Sequence, residues 1–552
     1  HSRPDRIAFH IPKRGIEMGR IQDDTVKPIL PEMSFPLHYS VVGDLTLTVN
    51  ENNEQIAYRF DALHRMTLKT WVTDPEQTTF QYRSDPVGNL THAATYTGST
   101  LVHETRQHYD ALSRLTLSIQ SGPWLNNLSI TLGSAYDAAG HRTSLRVHDL
   151  STVTYQVDAL GRLTHQSDSQ TGFAWTLGYD PLGRRTVLHQ ANDRIRTVYA
   201  YDPASQLTLL RHTRVSDSVV LLEQQLQYDP AGNRTGSTEG DGVHTFGYDP
   251  LLRVTHAVHP GTFPLPQTET YQYDPVGNRL SNHLVNALSP DAANRYTALS
   301  GGSVQYDNAG RLTLLSHPEY ARGWGNQLTF TYTPEGQVKS FSRPAGLQIT
   351  RHYDAMNHPV TEWDWSLGNI PQVFDHDTVV LIHQSGQFAR NLVGPHPDEI
   401  WAQISEFGES QFDLLDALGS QRVLLDALTG QIRELKAYDS FGRPSAPATL
   451  QIPYFTGRPP VGNSGLTDSA VWDLRARGYH AFLGRFMSED PSGMVDGPNL
   501  YEYGRNNPLK YKDPTGLFSV WDIADIGFFI WSFKPFLKTP SLNTGAAAFL
   551  DG

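Results

Sequence analysis

The dipeptide Tyr-Asp recurs ten times, at Tyr109, Tyr136, Tyr179, Tyr201, Tyr228, Tyr248, Tyr273, Tyr306, Tyr353 and Tyr438. A short unit repeated this often must fold the same way each time and bury its faces against its own neighbours. The fuller unit is Tyr-Asp-x-x-Gly-Arg/Asn-x-Thr, as in Tyr179-Asp180-Pro181-Leu182-Gly183-Arg184. Degenerate copies sit at Tyr58, Tyr82, Tyr155 and Tyr332. Successive tyrosines from Tyr136 to Tyr273 are spaced 19, 24, 22, 27, 20 and 25 residues apart. Such an irregular period suits hairpins with variable loops better than a strict solenoid.

The local physics of one unit is legible. A β-prone run such as Thr152-Val153-Thr154-Tyr155-Gln156-Val157 precedes the turn, and Leu163-Thr164-His165 follows it. Between them, Asp caps backbone N–H groups, Pro presets φ, and Gly supplies a positive φ. Each unit is therefore expected to be a β-hairpin whose Tyr ring packs on its neighbour. A lone hairpin is unstable, so the units should join edge to edge into one long sheet. No long stretch of helical periodicity precedes residue 518.

Composition narrows the function. Forty-four Lys plus Arg against 57 Asp plus Glu give a net charge of −13, which argues against a nucleic-acid partner. There is no cysteine, so disulfide frameworks, thiolate zinc sites and cysteine nucleophiles are excluded. No apolar run opens the chain, so no conventional signal peptide is expected. The most apolar stretch, Ile526 to Phe533, is too short for a membrane span. Asp375-His376-Asp377 and His396-Pro397-Asp398-Glu399 lack helical metal-ligand spacing, and no phosphate-binding glycine loop or Gly-x-Ser-x-Gly elbow occurs. No metal or cofactor is expected. Protonating all 23 His would reverse the charge, so acid-triggered opening is conceivable, with solvated loop histidines as the plainer expectation.

The repeat resembles the YD repeat of the Rhs family, which includes bacterial Rhs effectors and the C components of Tc toxin complexes. The resemblance covers roughly residues 40 to 517. It implies an all-β fold in which a spiral of YD hairpins closes as a hollow, cocoon-like shell around a toxic C-terminal domain. Near the C-terminus, Gly484-Arg485-Phe486-Met487-Ser488-Glu489-Asp490-Pro491 is followed by Asn506-Asn507-Pro508 and then Asp513-Pro514-Thr515-Gly516-Leu517. This order resembles the Rhs core-associated segment that precedes the variable toxin. The resemblance implies a single-turnover, self-cleaving aspartyl protease that cuts Leu517–Phe518. Asp490 and Asp513, in two Asp-Pro-x-Gly turns, are the candidate catalytic pair, with Arg477 and Arg485 as candidate supporting residues. Two carboxyls held together share a proton, so one can serve as acid and the other as base. The blander reading, that both Asp residues only cap their turns, stays open. Where family members carry Arg-Tyr-Tyr-Asp-Pro, this chain has Arg477-Gly478-Tyr479-His480-Ala481, which lacks the Asp.

The expected organisation is a junction or plug over 1–40, a YD shell over 41–450, the autoproteolytic segment over 451–517, and the start of a toxin region over 518–552. The resemblance implies a secreted or delivered effector of interbacterial competition, with type VI secretion among the routes. Its expected partners are its own C-terminal toxin inside the shell, an immunity protein, secretion machinery, and a second shell chain, an N-terminal part or a copy of itself. The apolar tail residues Phe528, Phe529, Trp531, Phe533 and Phe536 should lie inside the shell. The competing reading is a non-catalytic surface or adhesion YD-repeat protein; a shell with a dead protease is a third. The toxic activity itself is not legible.

Overall fold

The computed structural model describes residues 37–521, apart from 319–325, 345, 347, 365, 385, 397, 408, 446–454 and 462–470. The expected junction segment before residue 37 and the apolar tail after Trp521 lie outside the described residues. The described chain is all-β. Twenty-two strands, from Leu37–Tyr39 to Arg279–Asn282, form one antiparallel sheet in which each strand pairs with the next. A two-stranded ribbon, Leu288–Pro290 and Tyr296–Leu299, leads into a second sheet of thirteen strands running from Ser303–Tyr306 to Ile432–Leu435.

The unit around Asp180 shows why the sequence folds this way. The strand Ala174–Tyr179 ends in a bulge between Gly178 and Tyr179. Asp180 Oδ1 then accepts the N–H groups of Leu182 (3.0 Å) and Arg184 (2.9 Å), and Oδ2 accepts Arg184 Nε at 2.7 Å. Gly183 closes the turn at φ +84°, a conformation costly for a residue with a Cβ. Two further contacts tie the turn to its neighbours. Arg184 Nη1 donates to the carbonyl of Asp202 in the next unit at 3.2 Å, with its guanidinium over the Tyr201 ring at 4.7 Å. Tyr179 OH donates back to Leu163 O in the previous unit at 2.7 Å.

This double link recurs along the chain. Arg114, Arg253 and Arg311 reach the next unit's turn carbonyl at 2.8, 2.6 and 3.0 Å. Tyr136, Tyr201, Tyr228 and Tyr332 donate backward at 2.8, 2.9, 2.8 and 2.6 Å. Asn replaces Arg at 89, 233 and 278, where its amide makes the same bond to the turn Asp; Asn89 and Asn278 also reach a side chain of the next turn, Ser113 Oγ at 3.1 Å and Asn294 Oδ1 at 2.7 Å.

The second sheet winds over the first in the same chain direction. Asn308 meets Asn52, Asn357 meets Lys69, Phe374 meets Gln120, Leu415 meets His212 and Ser440 meets Glu269, so the sequence separation rises from 256 to 288 and then falls through 254 and 203 to 171 residues. The ribbon is therefore a tightening spiral. Mixed apolar clusters join the coils, for example Trp175 and Leu188 with Trp401 and Phe412. Ion pairs cross the same seam: Arg311–Glu54 at 2.8 Å, Arg390–Asp168 at 2.8 Å and Arg422–Glu239 at 3.0 Å. The cost of desolvating such charges offsets much of their attraction, so they add little net stability. Several histidines are not the solvated loop residues expected. His103, His212 and His480 are buried, and burial pushes them down to about 4, 4 and 3, so they are neutral in the folded chain.

The ladder predicts a graded response. Tyr179→Phe removes one hydrogen bond and should cost about 1 kcal/mol, read as roughly fivefold faster amide exchange around Leu163. Asp180→Ala removes three accepted bonds and should have the larger effect, read as faster exchange at both Leu182 and Arg184. Equal effects of the two substitutions would contradict this account.

Candidate functional site

Beyond the second sheet, the strands Val471–Leu474, Arg477–His480 and Arg485–Phe486 form a buried three-stranded meander. Arg485 of the last strand and the segment that follows it dock on five successive Asp turns of the spiral. Lys510 Nζ donates to Ala231 O (2.6 Å), Asn507 Nδ2 to Asn233 Oδ1 and Leu252 O (both 2.9 Å), and Asn506 Nδ2 to Gly277 O (2.9 Å). Arg485 Nη2 donates to Asn294 O (2.7 Å) and Tyr501 OH to Gly310 O (2.7 Å). The opposite side is tied to the later coil, where Arg475 and Arg458 both hold Asp398, at 2.8 and 3.0 Å.

Asp490 and Asp513 come together on Arg477. Its Nη2 lies 2.8 Å from Asp490 Oδ2 and 3.3 Å from Asp513 Oδ2. All three side chains are nearly fully buried, and the guanidinium also stacks on Phe486 at 3.5 Å. Arg485 is not part of this group: its guanidinium lies between the Tyr296 and Tyr501 rings, at 4.3 and 4.5 Å. Of the two arginines expected near the pair, only Arg477 is there.

The electrostatics follow from counting charges. Two carboxyls facing one buried guanidinium leave an excess negative charge that water cannot solvate. Burial, with Asp490 and Asp496 adding repulsion and Arg477 opposing it, pushes Asp513 up to about 7. Burial also raises Asp490 despite Arg477. The two carboxyls therefore titrate as a coupled pair that keeps a proton up to about pH 7.

The Leu517–Phe518 bond lies beside these groups. The chain turns back after Lys512, pairing Lys512 with Val520 and Tyr511 with Trp521, so the bond sits in the loop of a hairpin. Four consecutive carbonyls before the bond are gripped. Arg475 Nη1 donates to Pro514 O at 2.5 Å, Ala476 N to Thr515 O at 3.1 Å, Arg477 Nε to Gly516 O at 2.5 Å, and Ser492 Oγ lies 3.0 Å from Leu517 O. Asp513 Oδ1 accepts Leu517 N at 3.1 Å. Past the bond, Ser519 N donates to Asp496 Oδ2 at 2.6 Å. Leu517 and Phe518 are only half-buried, which leaves the bond within reach of water.

Sequence reasoning passed over Arg475, Ser492 and Asp496. Ser492 is an unremarked x of Asp-Pro-x-Gly, and Arg475 and Asp496 stand in turns with no motif to mark them. The carboxylates weighed as metal ligands are engaged by cations: Asp375 by Arg142, Asp398 by Arg458 and Arg475, and Glu399 by Arg185. Glu239, Asp241 and His244 also lie close together, with Glu239 held by Arg422.

Gly516 is the tightest point of the grip. At φ +71°, a Cβ there would stand 2.4 Å from Leu474 O and 3.0 Å from Arg477 N. Gly516→Ala should therefore lift residues 514–517 off the Leu474–Arg477 backbone. The expected readout is lost amide protection at Ala476 and Leu517 with the YD turns unchanged; full protection would contradict the packing.

The RHS Repeat family model matches residues 157–195. The toxin subunit YenC1 of Yersinia entomophaga is 49% identical over 484 residues, covering 71% of this chain and 48% of that protein. The toxin protein Tse5 of Pseudomonas aeruginosa is 26% identical over 496 residues, covering 79% of this chain and 36% of that protein. The chain thus spans about a third to a half of the length of these relatives. Among solved structures, the crystal structure of TcdB2-TccC3 superposes with a TM-score of 0.59 at 18% identity, over 89% of this chain and 29% of that one. At that identity the likeness shows the fold, which is the spiral described above. With its ten Tyr-Asp turns, their Arg and Tyr links and the spiral sheet they build, the chain belongs to the Rhs/YD-repeat family.

Proposed function

We propose that this chain is an Rhs-type toxin shell whose C-terminal segment cuts its own Leu517–Phe518 bond, freeing the chain beyond it while the spiral encloses that part. The reading rests on one observation: four carbonyls leading to the bond are gripped beside two buried carboxyls that share one guanidinium. In this reading the reacting form of the pair carries its one proton on Asp490, although Asp513 is the carboxyl pushed up to about 7; ionised Asp513 takes a proton from water as the water oxygen attacks the Leu517 carbonyl carbon. Asp490, protonated, supplies a proton to the carbonyl side. Arg477 holds both carboxyls and the Gly516 carbonyl, so it positions the pair. Collapse of the gem-diol breaks the C–N bond, the Phe518 nitrogen takes the proton from Asp513, and Asp490 regains its own. The hairpin replaces a substrate cleft, because attachment of the bond to its own site supplies the proximity. The toxin names of YenC1 and Tse5 support the reading of a delivered effector.

Asp490→Asn and Asp513→Asn should each leave the spiral folded and the chain uncut when the protein is made by cell-free synthesis and followed on a gel. Efficient cutting in both variants would remove the aspartyl mechanism. The pH dependence has a definite sign. The coupled pair loses its last proton as the pH rises through about 7, where Asp513 titrates. The active pair needs one proton, so the cutting rate should fall about tenfold per pH unit well above pH 7. A rate that rises steadily to pH 9 would contradict this.

The spiral also points to a second shell layer. The third residue of the Asp-x-x-Gly turn is exposed along the first coil: Leu63 65%, Leu112 68%, Leu160 77% and Leu182 72%. In the second coil, turn residues Ala355, Ala417 and Phe441 are buried against the first coil. The first coil's apolar rim is thus placed to receive a further YD layer, which we assign to a second shell chain. Light scattering should detect a complex, and Leu112→Glu with Leu160→Glu and Leu182→Glu should weaken it. A monodisperse monomer that binds no second chain would contradict the assignment.

A further inference from the structure

We propose that Ser492 is a catalytic relay, its hydroxyl passing a proton from Asp490 to the Leu517 carbonyl oxygen. The inference rests on the self-cleavage reading and adds the group that reaches the reacting atom. Among the described residues Asp490 makes no hydrogen bond to the Leu517 carbonyl; its Oδ2 is turned to Arg477 at 2.8 Å. Its Oδ1 lies 2.5 Å from Ser492 Oγ and accepts Ser492 N at 2.8 Å. The same Ser492 Oγ lies 3.0 Å from Leu517 O. Ser492 is half-buried in the Asp490–Gly493 turn, where Gly493 N closes back on Asp490 O at 3.0 Å. The hydroxyl is thus held between one carboxyl oxygen and the carbonyl oxygen of the bond to be cut.

A hydroxyl carries a single proton. When Asp490 is ionised, both neighbours of Ser492 Oγ are acceptors, and the proton goes to the charged one, since a carboxylate is the stronger acceptor. The Leu517 carbonyl then has no donor from Ser492. When Asp490 carries a proton on Oδ1, it donates to Ser492 Oγ, which is released to donate to Leu517 O. Both short contacts are then hydrogen bonds. The hydroxyl thereby couples the protonation of Asp490 to the polarisation of the carbonyl.

The step balances. The water oxygen forms a bond to the Leu517 carbonyl carbon and gives a proton to Asp513. The carbonyl π pair moves to oxygen, which takes the Ser492 hydroxyl proton. Ser492 Oγ takes the proton of Asp490 Oδ1, leaving Asp490 ionised. On collapse of the gem-diol the hydroxyl proton returns through Ser492 to Asp490, the C–N bond breaks, and the Phe518 nitrogen leaves with the proton from Asp513.

The test is the rate of self-cutting of the full chain after a pulse of cell-free synthesis. Loss of a donor to a developing oxyanion costs about 10²–10³ in rate, so Ser492→Ala should slow cutting about 100-fold. Ser492→Thr keeps the hydroxyl and should stay within about tenfold of the parent chain. Both variants should melt with the parent, since Ser492 N still caps Asp490. The proton inventory of the parent in H2O/D2O mixtures should be bowed, because two protons move through Ser492, and should straighten in Ser492→Ala. A Ser492→Ala chain that cuts within threefold of the parent, while Asp490→Asn and Asp513→Asn stay uncut, overturns the relay and spares the aspartyl reading. Efficient cutting by both Asn variants overturns the reading beneath it. If Ser492→Ala does not fold, a straight inventory for the parent chain overturns the relay by itself.

Discussion

The structure depends on the turn aspartate and the two long side chains that reach from one turn to the next. Asp180 organises its own loop, Arg184 extends that order forward to Asp202, and Tyr179 extends it back to Leu163. None of these bonds is strong alone, each being worth about 1 kcal/mol net. Their effect is geometric. They hold successive hairpins at a fixed spacing along one rim, so that a chain of local turns becomes a ribbon with a definite curl.

That curl brings residues about 250 apart in sequence into contact, and then residues 171 apart as the spiral tightens. Within the narrowing coils lies the C-terminal segment. Its Lys510, Asn507 and Asn506 contact successive turns of the first coil and Tyr501 the first turn of the second, while Arg475 and Arg458 hold Asp398 further along the second. The rigid ribbon thus serves as the scaffold that presents Arg477, Asp490 and Asp513 to one peptide bond. A group buried this deeply and carrying one guanidinium for two carboxyls retains a proton that solvent-exposed aspartates would have lost.

The sequence and the structure agree where the information is local. Tyr-Asp turns, the glycine at positive φ and the hairpin on either side were legible because each is set by a few adjacent residues. The cross-coil pairs were not, because nothing in a linear chain tells Arg390 that Asp168 will stand opposite it. The same limit explains the histidines, whose burial depends on the second coil. At the site, the two Asp-Pro-x-Gly turns marked Asp490 and Asp513. Arg485 shares the motif but serves the docking of the segment, and Ser492 gave no signal because its role depends on where the Leu517 carbonyl comes to rest.

The central claim is that the chain severs itself at one defined bond. Intact-mass and terminal analysis of the full-length product, freshly synthesised and left to react, tests it most directly. The account predicts two polypeptides, one ending at Leu517 and one beginning at Phe518. A single uncut chain, or a junction at another bond, would contradict it.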